Sequence, residues 1–236
     1  MSRHRRLVDD TWLRQYQPLA KCLAGQTAWV IGGGPSLRNF DPACLAGRAV
    51  LVTNEAFSLV PDAVALVFVD VGWFQRRKAA IKRTWRGSYV IGRGPNHKLY
   101  ASDGVTNVAY RSGLYWSENS RILGGKNSGL AAVNAAWLMG ATRAILLGFD
   151  MKPTPGPDGR QRNNYHNLHP GPQDRNYTHR YKHLFIPEFE KAAQEMERLG
   201  FVVINATPDS ALTCFPMRSL QWCLDRYPAK EEAVAC

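Results

Sequence analysis

Three consecutive glycines, Gly32, Gly33 and Gly34, precede Pro35 and Ser36 directly after the apolar run Thr27 to Ile31. Glycines after a buried strand let the backbone adopt positive φ and approach a ligand without a Cβ in the way. Their N–H groups can converge on a phosphate, helped by a following helix N-terminus. Pro35 stiffens such a turn and Ser36 adds a hydroxyl donor. No Gly-Lys-Ser/Thr follows, which excludes a Walker loop. Leu37 stands where a full dinucleotide fingerprint needs its last glycine. Taken alone, the turn serves equally as a tight structural corner or as a phosphate cradle.

Other polar residues follow apolar runs in the same way. Asn54 ends Ala49 to Thr53, Asp70 ends Val64 to Val69, and Asp150 follows Arg143 to Leu147 through Gly148 and Phe149. Asparagine at a strand exit makes local backbone hydrogen bonds, or contacts a base or ribose. Asp150 and Asp70 read as cap or loop residues, metal ligands, or acceptors for a sugar hydroxyl. Ser128-Gly129 opens an alanine-rich segment, and either Ser128 or an anionic ligand must satisfy the free N–H groups there. Four of the six histidines, His166, His169, His179 and His183, fall in one stretch. Histidine is the natural base or acid near neutral pH. His179 and His183 share a helix face, a spacing that also suits a metal, but no HExxH pattern or cysteine partner accompanies them.

The elements that position these residues read as alternating strands and helices. Strands are expected at 27–31, 49–53, 64–69, 88–91, 143–147 and 201–204. Helices are expected over 1–25, with Trp12, Leu13, Tyr16 and Leu19 as a docking face, and over 73–86, 129–139 (N-cap Ser128) and 179–199. A short helix opens at Asp41-Pro42. The Pro-, Gly-, Asn- and His-rich stretch from Met151 to Thr178 is too long for a plain connector and reads as an active-site loop. Uniformly apolar strands alternating with helices predict an α/β fold, a mostly parallel sheet covered on both faces, whose ligands bind beyond the strands' carboxyl ends. The division expected is a helical extension over 1–25, one catalytic domain over 26–226, and a flexible tail over 227–236.

Composition bounds the partners. A 236-residue chain with 45% hydrophobic residues can bury one sizeable core. No window is long and apolar enough for a membrane span, and the charged start, Met1 to Asp10, carries no signal-peptide pattern. The five scattered cysteines suit a reducing cytoplasm. The net charge of +11 favours anionic partners. Between Val71 and Ser102 there is no acid, while Arg76, Arg77, Lys78, Lys82, Arg83, Arg86, Arg93 and Lys98 fall there. That segment reads as a solvated helix face or as a nucleic-acid patch. A second basic group, Arg3, His4, Arg5 and Arg6, lies near the N-terminus.

Together, Val30 to Leu37, Thr53-Asn54-Glu55, Asn127-Ser128-Gly129 and Leu147 to Asp150 resemble a superfamily. It unites family 42 bacterial sialyltransferases, flagellin-modifying Maf transferases and archaeal 6-hydroxymethylpterin pyrophosphokinases. The compact form is most similar to members encoded by phages and prophages, which would put the protein in the host cytoplasm. The match runs over roughly residues 27–215. The resemblance implies a Rossmann-like fold and transfer of a sugar from a CMP-linked donor to an acceptor hydroxyl, with no metal. It implies that Gly32, Gly33, Gly34, Pro35 and Ser36 surround the donor's phosphate and ribose. Asn54 then lies beside the nucleotide, Ser128 and Gly129 near the cytidine or phosphate, and Asp150 near the donor as a further catalytic candidate. Tyr165, Tyr177 and Tyr181 are implied as ligands of the leaving phosphate. The family's catalytic histidine precedes a helix, a strand and an Asp-Ser pair, here Asp209-Ser210. Counting back from Ser210 without gaps gives His183, and a small gap gives His179. Gly33 departs from the asparagine common in the family's turn. In the pyrophosphokinase branch, which uses magnesium and ATP, Asp70 and Asp150 become the metal ligands. The acceptor implied is a glycan or nucleic acid, and homo-oligomers are compatible with the family.

Overall fold

The four central strands alternate their side chains between two separate cores. In a computed structural model, which describes residues 10–94, 103–156, 158–166 and 174–229, β1 (Thr27–Ile31) sends Ala28 and Val30 to one core and Trp29 and Ile31 to the other. β2 (Ala49–Thr53), β3 (Ala65–Phe68) and β6 (Arg143–Leu147) divide in the same way. A strand buried on both faces must be apolar at every position, which is the pattern these runs show.

The described residues form a seven-stranded parallel sheet. Its order is β5-β4-β3-β2-β1-β6-β9, with β4 at Tyr89–Arg93, β5 at Thr106–Val108 and β9 at Val202–Asn205. One face is covered by α2 (Ser128–Leu138) and α4 (Ile186–Arg198). The other is covered by α1 (Val71–Thr84) and α5 (Leu220–Arg226). The fold is α/β and Rossmann-like in a single domain. From β1 the chain steps outward through β2, β3, β4 and β5, then returns to place β6 on the other side of β1. The carboxyl ends of β1 and β6 therefore flank a topological switch point, where open α/β sheets leave a crevice.

Several expected elements differ. The helix expected over 1–25 is, in its described part, one 3-10 turn at Thr11–Gln15. Pro18 cannot continue a helix and pushes Gln17 toward extended backbone, although Leu13, Tyr16 and Leu19 are buried as expected. The cap of α2 is Asn127, whose side chain accepts from the Leu130 N–H, and not Ser128. The helix expected from His179 starts earlier, with α3 at Asp174–Arg180. It passes through a π-helical turn, Tyr181–Phe185, before α4. Pro187, in the first turn of α4, has no N–H for the carbonyl four residues back, which favours the wider turn before it. The loop after Met151 contains a small antiparallel pair, β7 (Thr154–Pro155) and β8 (Gln161–Arg162). Arg3, His4, Arg5, Arg6, Lys98, His169 and the chain beyond Ala229 lie outside the described residues. No helix among the described residues is long and apolar enough to cross a membrane.

Candidate active site

A cavity of about 270 Å³ opens at the switch point. Gly32, Gly33 and Gly34 from the β1 exit line it, with Asn54 and Glu55 after β2 and Asp70 after β3. Asn127, Ser128 and Gly129 at the start of α2 contribute next, then Gly148 to Met151 after β6. Asn163, Asn164 and His166 from the long loop complete the wall with Tyr177, Arg180, Tyr181 and Phe185 from the helix that follows. Most of the sequence-predicted residues thus meet. Pro35, Ser36 and Tyr165 do not line the cavity, and neither do His179 and His183.

The glycine turn is built chiefly for packing against the β6 exit. A Cβ on Gly34 would overlap the Asp150 carboxylate, and one on Gly32 would stand 2.5 Å from the Gly148 oxygen. The Gly32 and Gly34 amides donate to the Leu147 and Gly148 carbonyls at 2.8 and 2.9 Å. Asp150 occupies the seat that a phosphate takes at a helix N-terminus. Its Oδ1 accepts from the Ser36 N–H at 2.9 Å, and its Oδ2 accepts from the Ser36 hydroxyl at 2.8 Å. Ser36 is therefore committed to a buried carboxylate rather than to a ligand. Burial pushes the Asp150 carboxyl above its ordinary range, with the Ser36 hydrogen bonds pulling the other way. Gly33 alone in the turn has room for a side chain: a Cβ there would make only an ordinary contact with Asn164 Oδ1 at 3.5 Å.

One wall of the cavity is preorganised. Asn54 sits at φ 47°, and its Oδ1 accepts from the Ser128 hydroxyl at 3.1 Å. Met151, directly after Asp150, sits at φ 51°. Left-handed backbone at a non-glycine costs about 1–2 kcal/mol per residue, least for Asn, and collects at ligand sites. Two of the three such residues in the described chain stand on this wall. The cationic side is Lys126, beside the α2 N-terminus, and Arg180, both exposed. Lys126 also braces the wall, since its N–H donates to buried Glu188 at 3.1 Å and its Nζ lies 3.4 Å from the same carboxylate.

Tyr165 anchors the long loop instead of lining the site. Its hydroxyl donates to the Glu55 carbonyl at 2.7 Å, and its N–H donates to Gly33 O at 3.1 Å. Tyr181 points inward, its hydroxyl donating to Asn163 O at 3.3 Å; burial, reinforced by Tyr177 and Asp150, raises its pKa. Glu55 is buried, accepts from the Trp73 indole at 2.9 Å, and lies 2.8 Å from Arg77 Nη2 in an ion pair. His179 and His183 are exposed and pack on each other, ring centroids 4.5 Å apart, while His166 is the histidine on the described wall. Asp209 is exposed; Ser210 is buried and donates to Phe149 O at 2.5 Å, bracing the β6 exit.

Asp70 and Asp150, the alternative magnesium ligands, both carry hydrogen bonds within the fold. Both Asp150 oxygens accept from Ser36, and Asp70 Oδ1 caps α1 by accepting from the Trp73 N–H at 3.0 Å. No group of three or more metal-ligating side chains occurs among the described residues. Lys126, Arg180, Met151 and the Asn163-Asn164 pair went unnoticed in the sequence. Lys126 directly precedes the Asn127-Ser128-Gly129 motif, a proximity that could have found it.

No protein-family model matches the chain, and no curated protein is a match for it. Among solved structures, the sialyltransferase CST-II in complex with trisaccharide acceptor and CMP superposes with a TM-score of 0.49 at 12% identity. The superposition covers 82% of this chain and 86% of that one.

Proposed function

We propose that this chain is a glycosyltransferase that binds a nucleotide-activated sugar, CMP-linked, in the switch-point cavity and transfers the sugar to an acceptor hydroxyl. The observation that carries the reading is convergence. Motifs far apart in sequence, at Gly33, Asn54, Ser128-Gly129 and Asp150, line one cavity at the edge where α/β sheets take ligands.

In this reading the base and ribose lie against Asn54 and Ser128. The phosphate faces the free N–H groups of the α2 N-terminus, with Lys126, Arg180 and the Tyr177 and Tyr181 hydroxyls around it. The bond from the anomeric carbon to the phosphate oxygen breaks, and the electron pair leaves with CMP. Dipoles and cations fixed in advance stabilise that developing charge. The acceptor oxygen forms the new bond and gives its proton to a histidine. We assign that role to His166, the histidine on the wall, in preference to His183 or His179. Asp150 holds the turn through Ser36 and takes no proton. Transfer needs no metal.

The test is hydrolysis of CMP-sialic acid, with water standing in for the acceptor. His166→Ala lowers turnover by at least about 100-fold, the low end of a general base's contribution. His179→Ala and His183→Ala leave it within a few-fold, and EDTA does not change it. Loss of turnover in His183→Ala with His166→Ala active would return the base role to the helix. Activity that requires ATP and vanishes with EDTA would replace glycosyl by pyrophosphoryl transfer.

A further inference from the structure

The cavity leaves the basic segment unused. α1 carries Arg76, Arg77, Lys78, Lys82 and Arg83 and no acid. Arg77 pairs with Glu55 and Lys78 with Asp103. Arg76, Lys82 and Arg83 are exposed and have no ion-pair partner among the described residues. At 3.6 residues per turn these three fall within an arc of about 120°. That arc lies away from Trp73, Phe74 and Ile81, which are buried. Arg86, just beyond the helix, is also exposed.

The helix starts at the cavity, where Asp70 and Trp73 are part of the wall. Gly72 leaves room for the Arg76 guanidinium to fold back over the first turn. A Cβ at Gly72 would stand 3.2 Å from Arg76 Nη1 and 3.3 Å from Asp70 Oδ1, so that cation sits by the rim. From Arg76 to Arg83 the helix advances about 10 Å. A nucleic-acid strand carries one charge per roughly 3.4 Å, about three over that length. Arginine outnumbers lysine on this face, and its planar fork matches phosphate oxygens two at a time.

We propose that the outer face of α1 binds a single strand of nucleic acid, its phosphodiester backbone along the helix and its accepting group directed to the cavity. The strand is single because an accepting group paired inside a duplex has to be unstacked before it can reach the cavity wall at Asp70 and Trp73. The +11 net charge raises the encounter rate with such a partner. The binding stands by itself; the statement that the strand is the acceptor rests on the transferase reading.

Fluorescence anisotropy with a labelled oligothymidine of twenty nucleotides tests the surface. Three phosphate contacts give a salt slope of about −2, or roughly 20-fold weaker binding between 50 and 200 mM salt. Lys82→Glu/Arg83→Glu weakens binding at least about 10-fold at low salt and flattens the slope by more than one. The same double variant keeps its melting temperature and its CMP titration, because neither residue lines the cavity. No binding of the oligonucleotide, a flat salt dependence, or a double variant that binds like the parent would overturn the proposal. Binding of heparin without oligothymidine would assign the face to an acidic glycan and overturn it too. Failure of the parent to bind CMP sinks the transferase reading and leaves the surface standing.

Discussion

Gly33 and Gly34 are neighbours with opposite duties. Gly34 has no room for a methyl group because Asp150 holds Ser36 across the gap, while Gly33 faces the cavity. Gly34→Ala therefore costs about 2–3 kcal/mol by overpacking, a fall in melting temperature of roughly 4–12 °C for a chain of this size. Gly33→Ala stays within about 2 °C, because its Cβ would make only an ordinary contact with Asn164 Oδ1. Equal losses in the two melts would mean that the turn does not pack on the β6 exit as described. The sequence displayed all three glycines but not this division of labour. Contact with Gly148 and Asp150, more than a hundred residues away, decides it, and nothing local encodes that.

At the scale of elements, the start of α2 separates capping of the helix from bracing of the cavity wall. Asn127 caps the helix, and Ser128 instead holds Asn54. Asn127→Ala should cost about 1 kcal/mol, seen as a melting point about 2–4 °C lower, and Asn127→Asp should restore it, since aspartate caps as well. A full loss in Ser128→Ala with Asn127→Ala unaffected would reverse the assignment. Either residue type can cap, so the sequence left the position ambiguous by one. β1, β2 and β6 were legible to the residue because apolar runs end in glycine, asparagine or threonine. β5, Thr-Asn-Val, is too short and polar to stand out. α3, Asp-Arg-Asn-Tyr-Thr-His-Arg, has no apolar stripe, so its helical start was hidden within the loop. The π turn after it was also hidden, and with it the direction in which each residue of that helix faces. His179 and His183 lie on a helix that lines the cavity, but the tertiary fold leaves both side chains exposed.

For the whole molecule, strand order makes the site. A chain that runs outward from β1 and returns beside it leaves β1 and β6 adjacent, with their exits together on the wall of one crevice. The alternation of strands and helices predicted the parallel sheet, and the parallel sheet put every strand exit on one edge. Which exits converge depends on strand order, which pattern alone does not reveal. In the proposed function this crevice holds the nucleotide of an activated donor. A calorimetric titration with CMP should then give one CMP per chain, with an affinity in the usual enzyme range of about 1 μM to 1 mM. Asn54→Ala should weaken it at least about 10-fold, equivalent to about 1.4 kcal/mol. No binding of CMP or CDP, or an Asn54→Ala variant that binds as tightly as the parent, would contradict it.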